Sequence, residues 1–192
     1  MAPGEARFDE AAGDRGTDVP HLCPVKLIAG VLYPDKERWL WTAEALSRSW
    51  GAVEAISDVF PFTLTDYYAD IAPVLYRRFL SFTGLRDAGG LVDWKRTSCV
   101  IEGESRTPRA VNIDPGYVNG ARLVLASTKD HAHRIYLGRG IYGEVTMRYR
   151  FKRWEPFDYT FPDFATGQYD PFLSVVRERW LCETGTTRRT GR

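Results

Sequence analysis

The stretch Arg109–Tyr149, RAVNIDPGYVNGARLVLASTKDHAHRIYLGRGIYGEVTMRY, decides what fold to expect. In its last third, Ile135 and Leu137 share parity with Val145, Met147, Tyr149 and Phe151. Arg134 and Tyr136 fall on the opposite parity, as do Tyr142, Glu144, Thr146 and Arg148. Two alternating runs joined by Gly138-Arg139-Gly140 predict a β-hairpin, apolar on one face and polar on the other. Upstream, Val111–Ile113 reads as a strand. Asp114-Pro115-Gly116-Tyr117 reads as a turn, with Pro at the second position and Gly where a type II turn needs positive φ. Leu123–Ala126 is a further apolar run of strand length.

Outward from this stretch, Val25–Tyr33 is a mostly apolar run suited to a central strand covered on both faces. Asp35 then caps a helix whose Trp39, Ala43, Leu46 and Trp50 repeat at helical spacing, with Gly51 as its stop. Val53–Phe62 is extended and continues to Thr65. A second helix is expected with Asp70 as its cap, Pro73 in its first turn and its end near Gly84, burying Leu75, Phe79 and Phe82. Leu91–Glu102 reads as a short helical turn leading into a strand at Ser98–Glu102. A connection rich in proline and aromatics, Trp154–Asp170, leads to a last helix over Pro171–Glu183, capped by Asp170 and burying Phe172, Val176 and Trp180. The order predicts an α+β single domain over residues 24–184, with a mixed or antiparallel sheet and about three helices packed on it. Residues 1–20 read as a disordered arm and 185–192 as a tail.

Composition narrows the function classes. The 192 residues are 44% hydrophobic and 27% charged, and no apolar run approaches bilayer-spanning length. The amino-terminal residues have no apolar signal region, so a cytoplasmic location is expected. Three cysteines without a C-x-x-C pair, Cys23, Cys99 and Cys182, suggest reduced, buried thiols. A formal net charge of +1 argues against general nucleic-acid binding, and the lack of a spanning apolar run argues against a membrane partner. The charge is uneven: residues 1–96 carry −3 and residues 97–192 carry +4.

Familiar reaction motifs are absent. There is no G-x-S-x-G, no P-loop and no G-x-G-x-x-G. His131-x-His133 resembles half a metal site but lacks the later ligands, so no metal site is expected. What remains is a set of charges around one short sheet segment. Lys129 and Arg134, with His133 and Arg148 near them, could hold an anion. Asp114, Glu144 and His133 are the candidate acid/base groups, with Lys95, Glu102, Asp66 and Asn112 as further ligand-binding residues. Magnesium enters only if the ligand is a phosphate. Structural roles compete: Asp114 could serve its own turn, and Glu144 could pair with Arg134 across the hairpin.

The words NIDPGY, LVLASTK and HRIYLGRGIYGEVTMRY together resemble an uncharacterised, prokaryote-rich family named for its DPGY motif, domain-of-unknown-function family 4416. VKLIAGVLY, PFTLTDYY and the FPDF segment resemble it too, so the likeness spans nearly all of the folded chain. The family pattern has a Lys-x-x-Thr-Asn-x-x-Glu word where this chain has Lys95 to Glu102. The two ends match, while Ser98 and Cys99 depart from Thr and Asn. The resemblance implies no particular activity.

The leading expectation is therefore a protein that binds a small anionic ligand such as a nucleotide or phosphorylated metabolite; the sequence leaves open whether it also acts on that ligand. Two alternatives stand beside it. One is a non-catalytic protein–protein interaction module using Trp154, Phe157, Tyr159 and Phe161. The weaker one is RNA binding through the basic strand end, Arg148-x-Arg150-x-Lys152-Arg153, with its interleaved aromatics. The sequence leaves the oligomeric state open.

Overall fold

A computed structural model describes residues 23–63, 68, 71–105 and 110–186. In chain order the elements are β1 (Pro24–Tyr33), α1 (Lys36–Trp50), β2 (Val53–Ile56), β3 (Phe60–Phe62), β4 (Leu75–Phe82) and β5 (Arg86–Asp87). They continue with α2 (Leu91–Ser105), β6 (Asn112–Val118), β7 (Arg122–Ser127), β8 (Ile135–Gly138), β9 (Ile141–Arg150), β10 (Arg153–Pro156), α3 (Pro162–Ala165) and α4 (Asp170–Glu183). The fold is a single α+β domain built on a 10-stranded sheet in the order β10-β9-β7-β6-β1-β4-β2. β3, β5 and β8 attach to β4, β1 and β9, and every pairing is antiparallel.

β1 is central and buried almost throughout because helices cover both sheet faces. Alternate residues Leu27, Ala29, Val31 and Tyr33 pack with Trp39, Leu46 and Trp50 of α1 and Ile101 of α2. Ile28 points the other way, into a core with Phe79, Met147 and Phe172, Leu173 and Val176 of α4. Asp35 caps α1, its carboxylate accepting from Arg38 N–H at 2.8 Å, and Gly51 ends the helix at φ 93°. The hairpin also forms where expected, with Gly138, Arg139 and Gly140 all at positive φ.

Four expectations fail, each for a physical reason. Leu75–Phe82 is a strand, not a helix. Both of its faces are covered, so its apolar residues lose the alternation that separates strand from helix. The proposed cap Asp70 lies outside the described residues. Leu91–Ser105 is one helix: its buried side carries Lys95, Ser98, Glu102 and Ser105 beside Leu91 and Ile101, a helical stripe written partly in polar residues. Asp114-Pro115-Gly116 is no turn but the middle of β6. The apolar face assigned to the hairpin also breaks at its ends, since Ile135 is 72% and Phe151 73% exposed.

Smaller corrections follow. Asp170 does not cap α4 with its side chain: Tyr169 is the cap residue, and one Asp170 carboxylate oxygen is buried without a partner. Trp154 is buried, its indole N–H donating to Ser174 Oγ at 3.3 Å, which removes it from any docking surface. Cys23 and Cys182 are exposed rather than buried. Among the described residues no helix is long and apolar enough to cross a membrane.

Gly116 explains much of the DPGY word. It sits opposite Leu125 on β7, and a Cβ there would lie 2.2 Å from the Val124 carbonyl oxygen. A backbone atom cannot swing aside as a side chain can. Gly116→Ala should therefore destabilise the fold by about 1–3 kcal/mol, in the range of overpacking. Gly103→Ala, on the exposed side of α2 with nothing within 4 Å, should stabilise by about 0.5–1 kcal/mol. Urea denaturation midpoints of the two variants measure both effects, and equal midpoints would contradict the account.

Candidate functional site

The site begins where two strands part. β6 and β7 pair only over Gly116–Val118, whereas β6 pairs with β1 along its whole length. Towards its start, Asn112–Asp114 of β6 therefore has no strand on the β7 side. Two α2 side chains take that place on Ile113. Lys95 Nζ donates to the Ile113 carbonyl at 2.7 Å, and a Glu102 carboxylate oxygen accepts from the Ile113 N–H at 2.7 Å. Pro115 has the same parity as Ile113, so its missing N–H falls on this open side and costs no bond to β1. Asp and Asn then face into the gap: Asn112 Nδ2 donates to Asp114 Oδ2 at 2.9 Å, and Lys95 Nζ lies 3.6 Å from Asp114 Oδ1.

β7 stays with β9, and the opposite wall grows from that pair and the loop that follows β7. Leu125 opposes Glu144, which is buried. Glu144 gathers three partners: Arg134 Nε at 2.8 Å, His133 Nε2 at 3.2 Å and Thr146 Oγ1 at 3.2 Å. Arg134 Nη1 donates to Ser127 Oγ at 2.9 Å and to the Lys129 carbonyl at 3.0 Å, while Lys129 N–H donates to Ser127 Oγ at 3.1 Å. The backbone of Lys129 is thus held at both its N–H and its carbonyl. Partial burial lowers the Lys129 pKa below the usual lysine value, and the nearby Arg134 guanidinium lowers it further.

Aromatic rings form the rim. His131, His133, Tyr159 and Phe157 stack in a near-parallel column, with centroid separations of 5.8, 4.4 and 5.3 Å. Burial, then the Glu144 carboxylate, raises the Tyr159 pKa. On the remaining side, Arg77 of β4 pairs with Asp163 of α3, which also accepts from Tyr169 Oη at 2.8 Å. Burial opposes the charge of Arg77, but Asp163 leads a group of neighbours that more than offsets it, so its pKa is raised. The Arg77 guanidinium lies over the Phe62 and Phe164 rings at 4.6 and 5.6 Å, which fastens α3 across the site.

These walls enclose a cleft of about 360 Å³. Lys95, Glu102, Asn112, Asp114, Lys129, His133, Arg134 and Glu144, all singled out from sequence, line it together. Asp66 lies outside the described residues. Arg148 does not join them; it is an exposed residue of β9 paired with Glu155. Sequence reasoning missed Arg77, which sat inside the misassigned helix, and Phe164, in the connection before the last helix; it gave Tyr159 to a docking surface rather than to the cleft. The anchoring Asp163 had a signal in hindsight, as an acidic residue between aromatics in the FPDF word. Among the described residues no group of three or more His, Cys, Asp or Glu is placed to hold a metal ion.

A comparison with known protein families completes the picture. The sequence profile of the family described as Domain of unknown function (DUF4416) matches residues 23–180. The chain belongs to this family. The DUF4416 match spans the fork, the cleft and nearly all of α4. Comparison with curated proteins finds no match, and comparison with solved structures finds none.

Lys95 and Glu102 are each buried and tied to Ile113. Lys95→Met takes the ammonium away from the Ile113 carbonyl at 2.7 Å and from the Asp114 and Glu102 carboxylates at 3.6 and 3.8 Å. Breaking a buried pair from one side typically costs about 3–5 kcal/mol. The variant should lose stability of that order and show faster amide exchange at Ile113 and its neighbours in hydrogen-exchange measurements. A loss below about 1 kcal/mol would mean the clamp carries little of the fold.

Proposed function

We propose that the cleft binds a small anionic molecule, a nucleotide or phosphorylated metabolite, and that Asp114, Glu144 and His133 act on it as acid/base groups. The observation that carries this reading is convergence. Residues from α2, β6, the β7–β8 loop and β9, far apart in sequence, meet around one concave space of ligand size. A fold needs ion pairs here and there; it has no packing reason to direct so many towards a cavity. The anion belongs near Lys129. Partial burial, and then the Arg134 guanidinium, disfavour the Lys129 charge, and a bound phosphate or carboxylate favours it. Arg134, already fixed by Glu144, Ser127 and the Lys129 carbonyl, needs no reordering to help. The two exposed free cysteines suit a reducing compartment, so we place this activity in the cytosol.

Binding should be visible as thermal stabilisation and by titration calorimetry with inorganic phosphate, adenosine monophosphate and glucose 6-phosphate. Lys129→Met should weaken the best of these by about 10–100-fold, the worth of one charge-assisted hydrogen bond. The pH dependence has a definite sign. The free protein holds the Lys129 pKa below its ordinary value, and an anion moves it back up. Binding therefore takes up protons in the alkaline range between those two values. Affinity falls as pH rises through the Lys129 pKa of the free protein, and calorimetry in buffers of different ionisation enthalpy reads the uptake. Absence of binding by all three compounds, or binding indifferent to Lys129→Met, would overturn the proposal.

A further inference from the structure

A second feature lies away from the cleft, on the part of the sheet formed by β7, β9 and β10. Residues paired across an antiparallel ladder point to the same face. Arg122 pairs with Arg148, Arg148 with Glu155, and Arg150 with Arg153. These five side chains therefore share one face, while Met147 and Tyr149 of β9 point the other way into the core beneath α4. All four arginines are exposed. Among the five stands one acid, Glu155, which Arg148 and Arg153 share at 3.1 and 3.0 Å. Like charges directly opposite each other destabilise a sheet, and here that occurs twice, at Arg122/Arg148 and Arg150/Arg153.

The turn joining β9 to β10 is strained as well. Phe151 and Lys152 occupy it at φ 51° and 63°, the signature of a two-residue type I′ turn that favours Asn-Gly. A bulky Phe at positive φ is an outlier, and this one is 73% exposed, so packing gives no reason for it. Its ring lies 4.3 Å from the Arg150 guanidinium, and the Phe157 ring lies 5.4 Å from that of Arg148. Two guanidinium groups of this face thus lie over aromatic rings.

We infer that this basic face, with Phe151 at its tip, is a docking surface for single-stranded nucleic acid. Spaced arginines match a phosphate backbone, and an exposed aromatic ring with a guanidinium beside it matches an unstacked base. The chemistry favours a single strand over a duplex, whose bases present no open faces. It favours a strand over a lipid surface because Arg122 and Arg148 carry the charge along the sheet face, away from the tip at Phe151. The overall charge of +1 conceals this concentration. The face touches the cleft rim at Phe157, but its arginines do not line the cleft, and the inference stands whatever the cleft binds.

The test is fluorescence anisotropy of the full chain with labelled 12-nucleotide oligouridylate and oligothymidylate, a duplex of equal length, and anionic phospholipid vesicles. Binding to either single strand should weaken with salt, with a log–log slope of about −0.7 per phosphate contacted. Arg150→Gln/Arg153→Gln should lose about tenfold or more in affinity and flatten the slope by about 1.4. Phe151→Asn supplies the turn with a preferred residue. It should raise the melting temperature while weakening binding about tenfold, the value of one stacked base. The inference is overturned if neither single strand binds at low salt, if duplex or vesicles bind more tightly, or if the folded arginine and Phe151 variants bind like the parent.

Discussion

The grip of Lys95 and Glu102 on the backbone of Ile113 is the constraint on which the rest of the site depends. A strand in the middle of a sheet needs partners for its N–H and C=O groups, and an unpaired buried one is costly. At Ile113 the neighbouring strand has already turned away. Without the two α2 side chains, β7 would have to close against β6 or water would have to enter. With them, the sheet can split and remain satisfied, and the split becomes a lined cleft. Lys95 also comes within 3.6 Å of Asp114, so the same ammonium that completes the ladder sets the charge of the cleft wall.

The sequence carried this architecture unevenly. β1, α1 and the β8–β9 hairpin were legible because each obeys one local rule: a continuous apolar run, a cap with a 3.6-residue apolar repeat, and a period-two alternation. α2 was not, because the stripe it buries is half polar, and a search for apolar periodicity passes over Lys95, Ser98 and Glu102. β4 was not, because burial on both faces erases alternation. The DPGY word was misread for a related reason. Pro and Gly usually mark a turn, but here Pro115 sits where its missing donor meets no strand and Gly116 where β7 comes close. Local turn chemistry cannot anticipate a demand that arises only between two strands.

The residues that line the cleft were more legible than the strand order that brings them together. Lys129, Arg134 and Glu144 drew notice as charges flanking apolar strands, a pattern that survives errors in strand boundaries. Arg77 did not, because its meaning depends on Asp163 and on Phe62 and Phe164, which only tertiary structure brings to it. A charged residue within an apolar segment is informative once the segment is known to be covered on both sides, since the charge must then have a partner.

The outer edge of β9 repeats the logic of the fork. β8 ends opposite Gly143 and β10 ends opposite Met147, so Glu144–Thr146 have no strand beside them on that edge. Side chains again complete the ladder: Tyr159 Oη donates to the Val145 carbonyl at 3.0 Å and Thr160 Oγ1 to the Thr146 carbonyl at 2.7 Å. The sheet is thus interrupted on both sides of the cleft, once at Ile113 and once at Val145–Thr146, and both gaps are filled by groups that also line the cleft or pack beside it. Tyr159 does this while stacked between His133 and Phe157, so the bond that satisfies Val145 also fixes the histidine that touches Glu144. Phe157 lies in turn beneath Arg148, a member of the basic face. Interrupting the ladder and completing it with side chains is how this fold brings titratable groups into its interior without leaving backbone unsatisfied.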